Sequence, residues 1–477
     1  MKLDSKHIAL LDSPSIAFKP EPGFVEVSNP ATNEALAFVR DYQEEELENL
    51  IQASQKAQKH WSSLLALDRA NLLWKWYELM LENKQALAEI LTLEMGKPIG
   101  EALGEIGYGA NFIRWYAEEC RRANGEVLQS VRPGERLVVL KQPIGVCGAL
   151  TPWNFPSAMI TRKAAPALAV GCSMIVKPAT QTPLSAYALL HLALKAGIPQ
   201  GVLEVVTGQA QMIGGVLCKS PIIRKLSFTG STEVGRKLMA QSANTIKKLS
   251  LELGGNAPFI VFDDACLEDA IKGIMASKFR NSGQTCVCAN RIYVQDGIYD
   301  ALASALKIEV EKLKVGNGLD VSTTQGPLID SKAVAKVKEH VDDAVSRGAC
   351  VISGGKALGG NFFEPTVIVG ASMDMAVARE ETFGPLAPLF RFHDEDEVVA
   401  KANDTEYGLA AYLYTKDASR QWRVSEALEY GMVGINTGII STEAAPFGGV
   451  KQSGLGREGS SHGMDEYLEI KYLCLNA

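Results

Sequence analysis

Between residues 44 and 60 the apolar side chains Leu47, Leu50, Ile51 and Ala57 share one face at helical spacing, and the same period returns over 66–96. Beyond residue 143 the texture changes. Short apolar runs, Ser173–Lys177, Leu203–Val206 and Lys225–Thr229, alternate with helical stretches over 183–196, 210–219 and 231–242. Strands alternating with helices of this length predict right-handed βαβ units and a parallel sheet. Each strand empties into a turn: Lys177-Pro178-Ala179-Thr180, Thr207-Gly208-Gln209-Ala210 and Thr229-Gly230-Ser231-Thr232. Ligands of such sheets bind outside the carboxyl ends of the strands, so these turns are where a cofactor is expected. A second α/β stretch runs from Ala257 to near 440, with strands at Arg291–Val294 and Pro388–Phe392 and helices over 297–313 and 331–346. Residues 126–142 predict a hairpin about Arg132-Pro133-Gly134, and 466–477 a C-terminal strand. A lone hairpin is marginal in water, so these segments are expected to pair with each other or with another subunit.

A chain of 477 residues exceeds one compact core. Its 47% hydrophobic and 22% charged residues are ordinary for a globular enzyme, and a net charge of −7 with no basic block argues against nucleic acid and anionic membranes as partners. No secretory signal or apolar stretch of about 20 residues is visible. The nine cysteines are irregularly spaced, and Cys147, Cys172, Cys218, Cys266 and Cys350 read as buried core thiols. A reducing, cytoplasmic location is expected. No metal site is expected: Cys286 and Cys288 have no second pair, and the six histidines are scattered.

Three segments carry chemistry. Gly283-Gln284-Thr285-Cys286-Val287-Cys288-Ala289 places a thiol in a polar turn after a helix expected over 266–280. Glu252 ends the apolar pattern Leu249, Leu251, Leu253, and Asn154 sits in Pro152-Trp153-Asn154-Phe155-Pro156. A thiol, a carboxylate and an amide are what attack on a carbonyl, activation of water and support of an oxyanion require. Burial would raise the Glu252 pKa toward that of a general base; alternatively the Gly254 and Gly255 amides satisfy it. The turn 228–235 opens a helix that Ser231 or Thr232 can cap, suited to a pyrophosphate. Lys177 can reach a ribose hydroxyl or phosphate, and the neutral Thr180 tolerates a 2′-phosphate that a carboxylate would repel. The string Gly454-Leu455-Gly456-Arg457-Glu458-Gly459 follows no strand-forming run and reads as a glycine-rich loop, not a nucleotide site.

These motifs, with Ile160–Lys163, Lys177–Pro183, Ser227–Gly235, Leu251–Ala265, Ser277–Arg291, Glu380–Phe392 and Ile435–Gly459, together resemble the aldehyde dehydrogenase superfamily over nearly the whole chain. Within it they resemble the bacterial succinate-semialdehyde dehydrogenases. The resemblance implies two Rossmann-related domains with a small β arm: a dinucleotide-binding domain (1–125 and 143–254), a catalytic domain (255–445) and an oligomerisation arm (126–142 and 460–477). It implies NADP as cofactor, with NAD possible, and a homodimer or homotetramer. Cys286 would attack the aldehyde, Asn154 would hold the oxyanion and Glu252 would activate water. Trp153, Asn154, Lys177, Pro178, Ala179, Thr180, Gly230 and Ser231 would line the cofactor path, with Leu253, Glu381 and Phe383 at the nicotinamide end. Arg162, Arg280 and Ser441 would hold the distal carboxylate of succinate semialdehyde; the alternatives are that Arg162 caps its helix and Arg280 pairs with a local acid. Cys288 would be a redox partner of Cys286 or a packing residue. Glutarate semialdehyde is a second substrate to expect. The rivals are a broader aldehyde dehydrogenase, a cysteine hydrolase or acyl transferase without nicotinamide, and a silent binding protein.

Overall fold

In the computed structural model, which describes residues 3–476, the alternating runs close into two separate sheets. The first has the order Gly454–Leu455, Lys248–Glu252, Ile223–Thr229, Val146–Leu150, Ser173–Lys177, Leu203–Val205. Its neighbours are parallel, except that Gly454–Leu455 runs antiparallel to Lys248–Glu252. The second has the order Cys350–Ser353, Thr366–Ala371, Leu386–Phe392, Ala289–Gln295, Ala257–Val261, Ala410–Tyr414, Met432–Ile435, antiparallel only at its first pair. The central strands of both are buried along their length, as parallel strands covered on both faces must be.

Helices Glu44–Ser63, Leu184–Ala196, Ala210–Lys219 and Thr232–Ser242 lie where the periodicity placed them. The expected helix over 66–96 is two, Ala66–Glu82 and Lys84–Met95. Asn83 breaks it: its side-chain amide donates to the Leu79 carbonyl, the local competition that makes asparagine a helix terminator. The helix expected over 266–280 is regular only over Leu267–Ile274 and widens into a π turn at Met275–Phe279. Asn281, Ser282 and Gly283 then take positive φ (53°, 55° and 72°), which swings the chain abruptly into Cys286.

Leu468–Asn476 pairs over its whole length with Glu135–Pro143, which pairs with Glu126–Leu128 in a three-stranded arm. Ser460–Asp465 forms a short helix that packs against Ala158–Val170 and leads into the last strand of the arm. Cys147, Cys172 and Cys218 are buried as expected, whereas Cys266 is partly exposed and Cys350 exposed. Cys266 precedes a helix and Cys350 opens an edge strand, positions where apolar sequence neighbours do not imply a covered side chain. No described helix is long and apolar enough to cross a membrane.

Candidate active site

The abrupt turn at 281–283 delivers Cys286 to a cavity of about 270 Å3 whose lining includes Arg162, Arg280, Ser441, Glu101, Gly104, Tyr108, Phe155, Met159 and Phe447. The thiol, both arginines and Ser441 therefore face one space. They arrive from separate elements: Arg162 from helix Ala158–Val170, Arg280 from the end of the π turn, and Ser441 from the loop after strand Met432–Ile435. Burial pushes the Cys286 thiol up to about 12; Arg162 opposes this, and Glu381 and Glu252 add to it. A thiol held that high is protonated at neutral pH, so its use as a nucleophile requires a base.

Glu252 ends strand Lys248–Glu252, and a side chain on Gly255 would meet the Cys286 carbonyl at 2.7 Å, so the two segments touch. The Glu252 carboxylate is buried and neither oxygen has a hydrogen-bond partner. Burial first, and then the charge of Glu458, raises its pKa well above the ordinary carboxylate value. The glycine amides do not satisfy it, because the Gly255 N–H donates to Glu381 at 3.3 Å. Glu381 is itself pushed up to about 8 by burial.

Asn154 is buried, and its side-chain amide donates to the Gln284 carbonyl at 3.0 Å. Its main-chain carbonyl accepts from Lys97 Nζ (2.8 Å) and from the Asn281 side chain (3.0 Å). Cys288 is buried with its thiol on the Lys278 carbonyl (3.5 Å), and both thiols are free.

Arg162 does not cap its helix. It lies buried within it, in an ion pair with Glu458 at 2.8 Å and with its guanidinium over the Phe447 ring at 4.1 Å. Burial opposes its charge, but the Glu458 carboxylate and then Tyr108, Glu252 and Cys286 outweigh that, and its pKa is raised. Nε of Arg162 and Nε of Arg280 have no hydrogen-bond partner. No sequence pattern pointed to Glu458 in this role: it lies in the glycine-rich string, 295 residues from Lys163, which holds its other oxygen. The buried pair Lys97–Glu105 (2.6 Å), beside Asn154, was also missed. A lysine and a glutamate eight residues apart look like a solvated helix face, and only their burial sets them apart.

Lys177, Pro178, Ala179 and Thr180 leave the carboxyl end of one parallel strand, and Gly230 and Ser231 that of another. Lys177 Nζ is mostly buried, 3.3 Å from the Thr180 hydroxyl, and burial lowers its pKa to about 8. The Thr229 hydroxyl is buried without a partner, and the Ser231 side chain accepts from the Val234 N–H to cap its helix. An under-satisfied cation, an orphaned hydroxyl and a helix start at the strand ends suit the phosphates and ribose of a dinucleotide. The Gly230 N–H donates to the Glu252 main-chain carbonyl (3.0 Å), joining this turn to the end of the Lys248–Glu252 strand. Leu253 packs against Gly235. Phe383, at φ 52°, stands edge-on to Trp153 with ring centroids 5.5 Å apart.

The aldehyde dehydrogenase family profile matches residues 18–473. The chain is 62% identical to a glutarate-semialdehyde dehydrogenase of Pseudomonas putida, over 95% of this chain and 94% of that one. It is 60% identical to the succinate-semialdehyde dehydrogenase (NADP+) of Escherichia coli, over 94% of each. The crystal structure of succinate-semialdehyde dehydrogenase from Burkholderia pseudomallei superposes with a TM-score of 0.96 at 56% identity, covering 100% of both chains. The chain belongs to the aldehyde dehydrogenase family.

Proposed function

We propose that this enzyme oxidises succinate semialdehyde to succinate with NADP, through a covalent thioester on Cys286. The observation that carries this reading is the convergence of Cys286, Arg162, Arg280 and Ser441 on one small cavity. Two guanidiniums facing a thiol suit a short molecule with a carboxylate at one end and an aldehyde at the other, because paired charge-assisted contacts set its direction. The names of the relatives agree with a semialdehyde of this length.

In this reading Arg162, Arg280 and Ser441 hold the carboxylate while the aldehyde carbon meets Cys286 Sγ. The thiol proton passes to Glu252, the C–S bond forms, and the carbonyl electron pair moves to oxygen, where the Asn154 amide and the Cys286 N–H support it. NADP, when bound, would supply the two-electron acceptor that this adduct needs to become a thioester. Glu252, once it has passed the thiol proton on to solvent, takes a proton from water, whose oxygen adds to the thioester; the C–S bond breaks, the sulfur leaves as a thiolate that takes the proton back from Glu252, and the acid departs. Trp153, Asn154, Lys177, Pro178, Ala179, Thr180, Gly230 and Ser231 would hold the dinucleotide, with Leu253, Glu381 and Phe383 at its nicotinamide end, and NAD would fit the same path less well because no carboxylate stands at Thr180 to hold a free ribose hydroxyl.

Glutarate semialdehyde is the second substrate. Gly104 lines the cavity with nothing within 4 Å of where its Cβ would stand, which leaves room for another methylene. One methylene discriminates by only about 1–3 kcal/mol. Residues 1–125 with 143–254 act as the dinucleotide-binding unit, 255–445 as the catalytic unit, and 126–142 with 460–477 as the oligomerisation segment. Exposed Val127, Val131, Ile470 and Tyr472 in that segment favour a homodimer or homotetramer. Nine free thiols suit the cytoplasm.

The test is the appearance of reduced nicotinamide with succinate semialdehyde, glutarate semialdehyde and butanal, each with NADP and with NAD. The reading expects kcat/KM to be highest for succinate semialdehyde with NADP, and Gly104→Leu to penalise the longer semialdehyde more. Equal rates on butanal would overturn it.

A further inference from the structure

Lys97 and Glu105 are both fully buried, yet they form an ion pair of 2.6 Å at the foot of helix Ile99–Glu119. Desolvating two charges is costly, and well-packed apolar residues often serve stability as well, so such a pair calls for another reason. Its remaining contacts all lead to one loop. Lys97 Nζ donates to the main-chain carbonyl of Asn154 (2.8 Å) and lies 3.7 Å from the centroid of the Phe155 ring. Glu105 accepts the N–H groups of Ser157 (2.9 Å) and Ala158 (3.2 Å), where helix Ala158–Val170 begins. One carboxylate and one ammonium thus grip both ends of the segment 154–158. On the other side, Glu101 accepts the Asn281 N–H (2.7 Å), and the Asn281 side chain donates to the same Asn154 carbonyl.

The side chain of Asn154 has little support of its own. Its Oδ1 is buried without a partner, and its amide reaches only the Gln284 carbonyl. Its direction is therefore set by where the main chain is held. We propose that the Lys97–Glu105 pair is a positioning device that fixes the Asn154 amide toward the oxygen of the carbonyl whose carbon Cys286 attacks, an inference that rests on the site reading above. The two residues act through Asn154 and not on the reacting atoms.

The experiment is single-turnover formation of reduced nicotinamide, per titrated active site, in two backgrounds. Lys97→Met/Glu105→Gln removes both charges and the donor to Asn154, while the carbonyl oxygen of the introduced amide can still accept the two N–H groups and preserve the fold. A small displacement of a reacting group costs up to roughly 10²-fold, so the pair swap is expected to slow the first turnover roughly 10–100-fold with the KM for NADP unmoved. In an Asn154→Ala background, itself slowed by roughly 10²–10³-fold, the same swap should change the rate by less than about twofold. Glu105→Asp, which keeps the charge but shortens the arm, should give a smaller loss that also vanishes in that background, and it serves if the swap does not fold. Equal slowing in both backgrounds, or no slowing in either, would overturn the positioning role and leave the site reading intact. An Asn154→Ala enzyme as fast as the parent would overturn both.

Discussion

The end of strand Lys248–Glu252 and the glycine-rich loop at 454–459 each bury a glutamate near Arg162, and they treat it in opposite ways. Glu458 sits on Arg162 and Lys163; burial works against its charge, but the two cations outweigh that and hold its pKa below the usual value. Glu252, on the strand that pairs with Gly454–Leu455, has no partner for either oxygen, and burial together with Glu458 holds its pKa well above the usual value. Glu381 stands between them: one N–H contact and a pKa of about 8. Glu252 and Glu458 are buried and Glu381 partly so, and the partners decide the outcome. A carboxylate with two cations is a fixed anchor, whereas one with none is a proton acceptor in waiting.

The comparison breaks first at Glu252. Glu252→Gln should lower kcat by roughly 10²–10⁴-fold, the usual worth of a general base, with a first-turnover burst persisting if thioester hydrolysis suffers more than its formation. The parent kcat should rise with pH through a window above the ordinary carboxylate range, because the base works only above its raised pKa, and this limb should be absent in the variant. A variant within a few-fold of the parent would remove Glu252 from the chemistry.

Glu458→Gln should have a smaller effect, roughly tenfold in kcat/KM, because Arg162 loses the carboxylate that fixes it. It should also move the acid limb of kcat to lower pH, since the Glu458 charge helps to raise the Glu252 pKa. An unmoved limb would mean that the two glutamates do not sense each other.

The smallest effect is on stability. Glu381 folds preferentially in its protonated form, so its contribution is complete below the unfolded pKa of about 4.5 and is lost as pH rises through about 8. Glu381→Gln should raise Tm by a few degrees at about pH 9 and leave it unchanged near pH 4. A gain at acid pH instead would reverse the sign and contradict the burial argument.

Much of this arrangement is legible in the chain because it is local. The strands Ser173–Lys177 and Ile223–Thr229 carry their own apolar runs and end in their own turns, so the two sheets and the positions of Lys177, Thr180 and Ser231 follow from short-range pattern. Cys286 stands out because a polar turn follows a helix. What pattern could not supply are contacts that topology makes: Glu458 returning 295 residues later to Lys163, Gly454 pairing with Glu252, and Lys97 reaching Asn154. A glycine-rich string looks the same whether it idles at the surface or supplies a sheet edge. The exposed Cys350 shows the reverse error, because apolar neighbours in sequence do not say which face of an edge strand is covered.

The proposed function stands on one cavity that Cys286 shares with Arg162 and Arg280. The most direct test is the ratio of kcat/KM for succinate semialdehyde to that for butanal, measured for the parent, Arg162→Ala and Arg280→Ala. The ratio should fall roughly 10²-fold in each variant, with butanal oxidation changed only a few-fold, as loss of a charge-assisted contact made by one substrate alone requires. Equal losses on both aldehydes would contradict it.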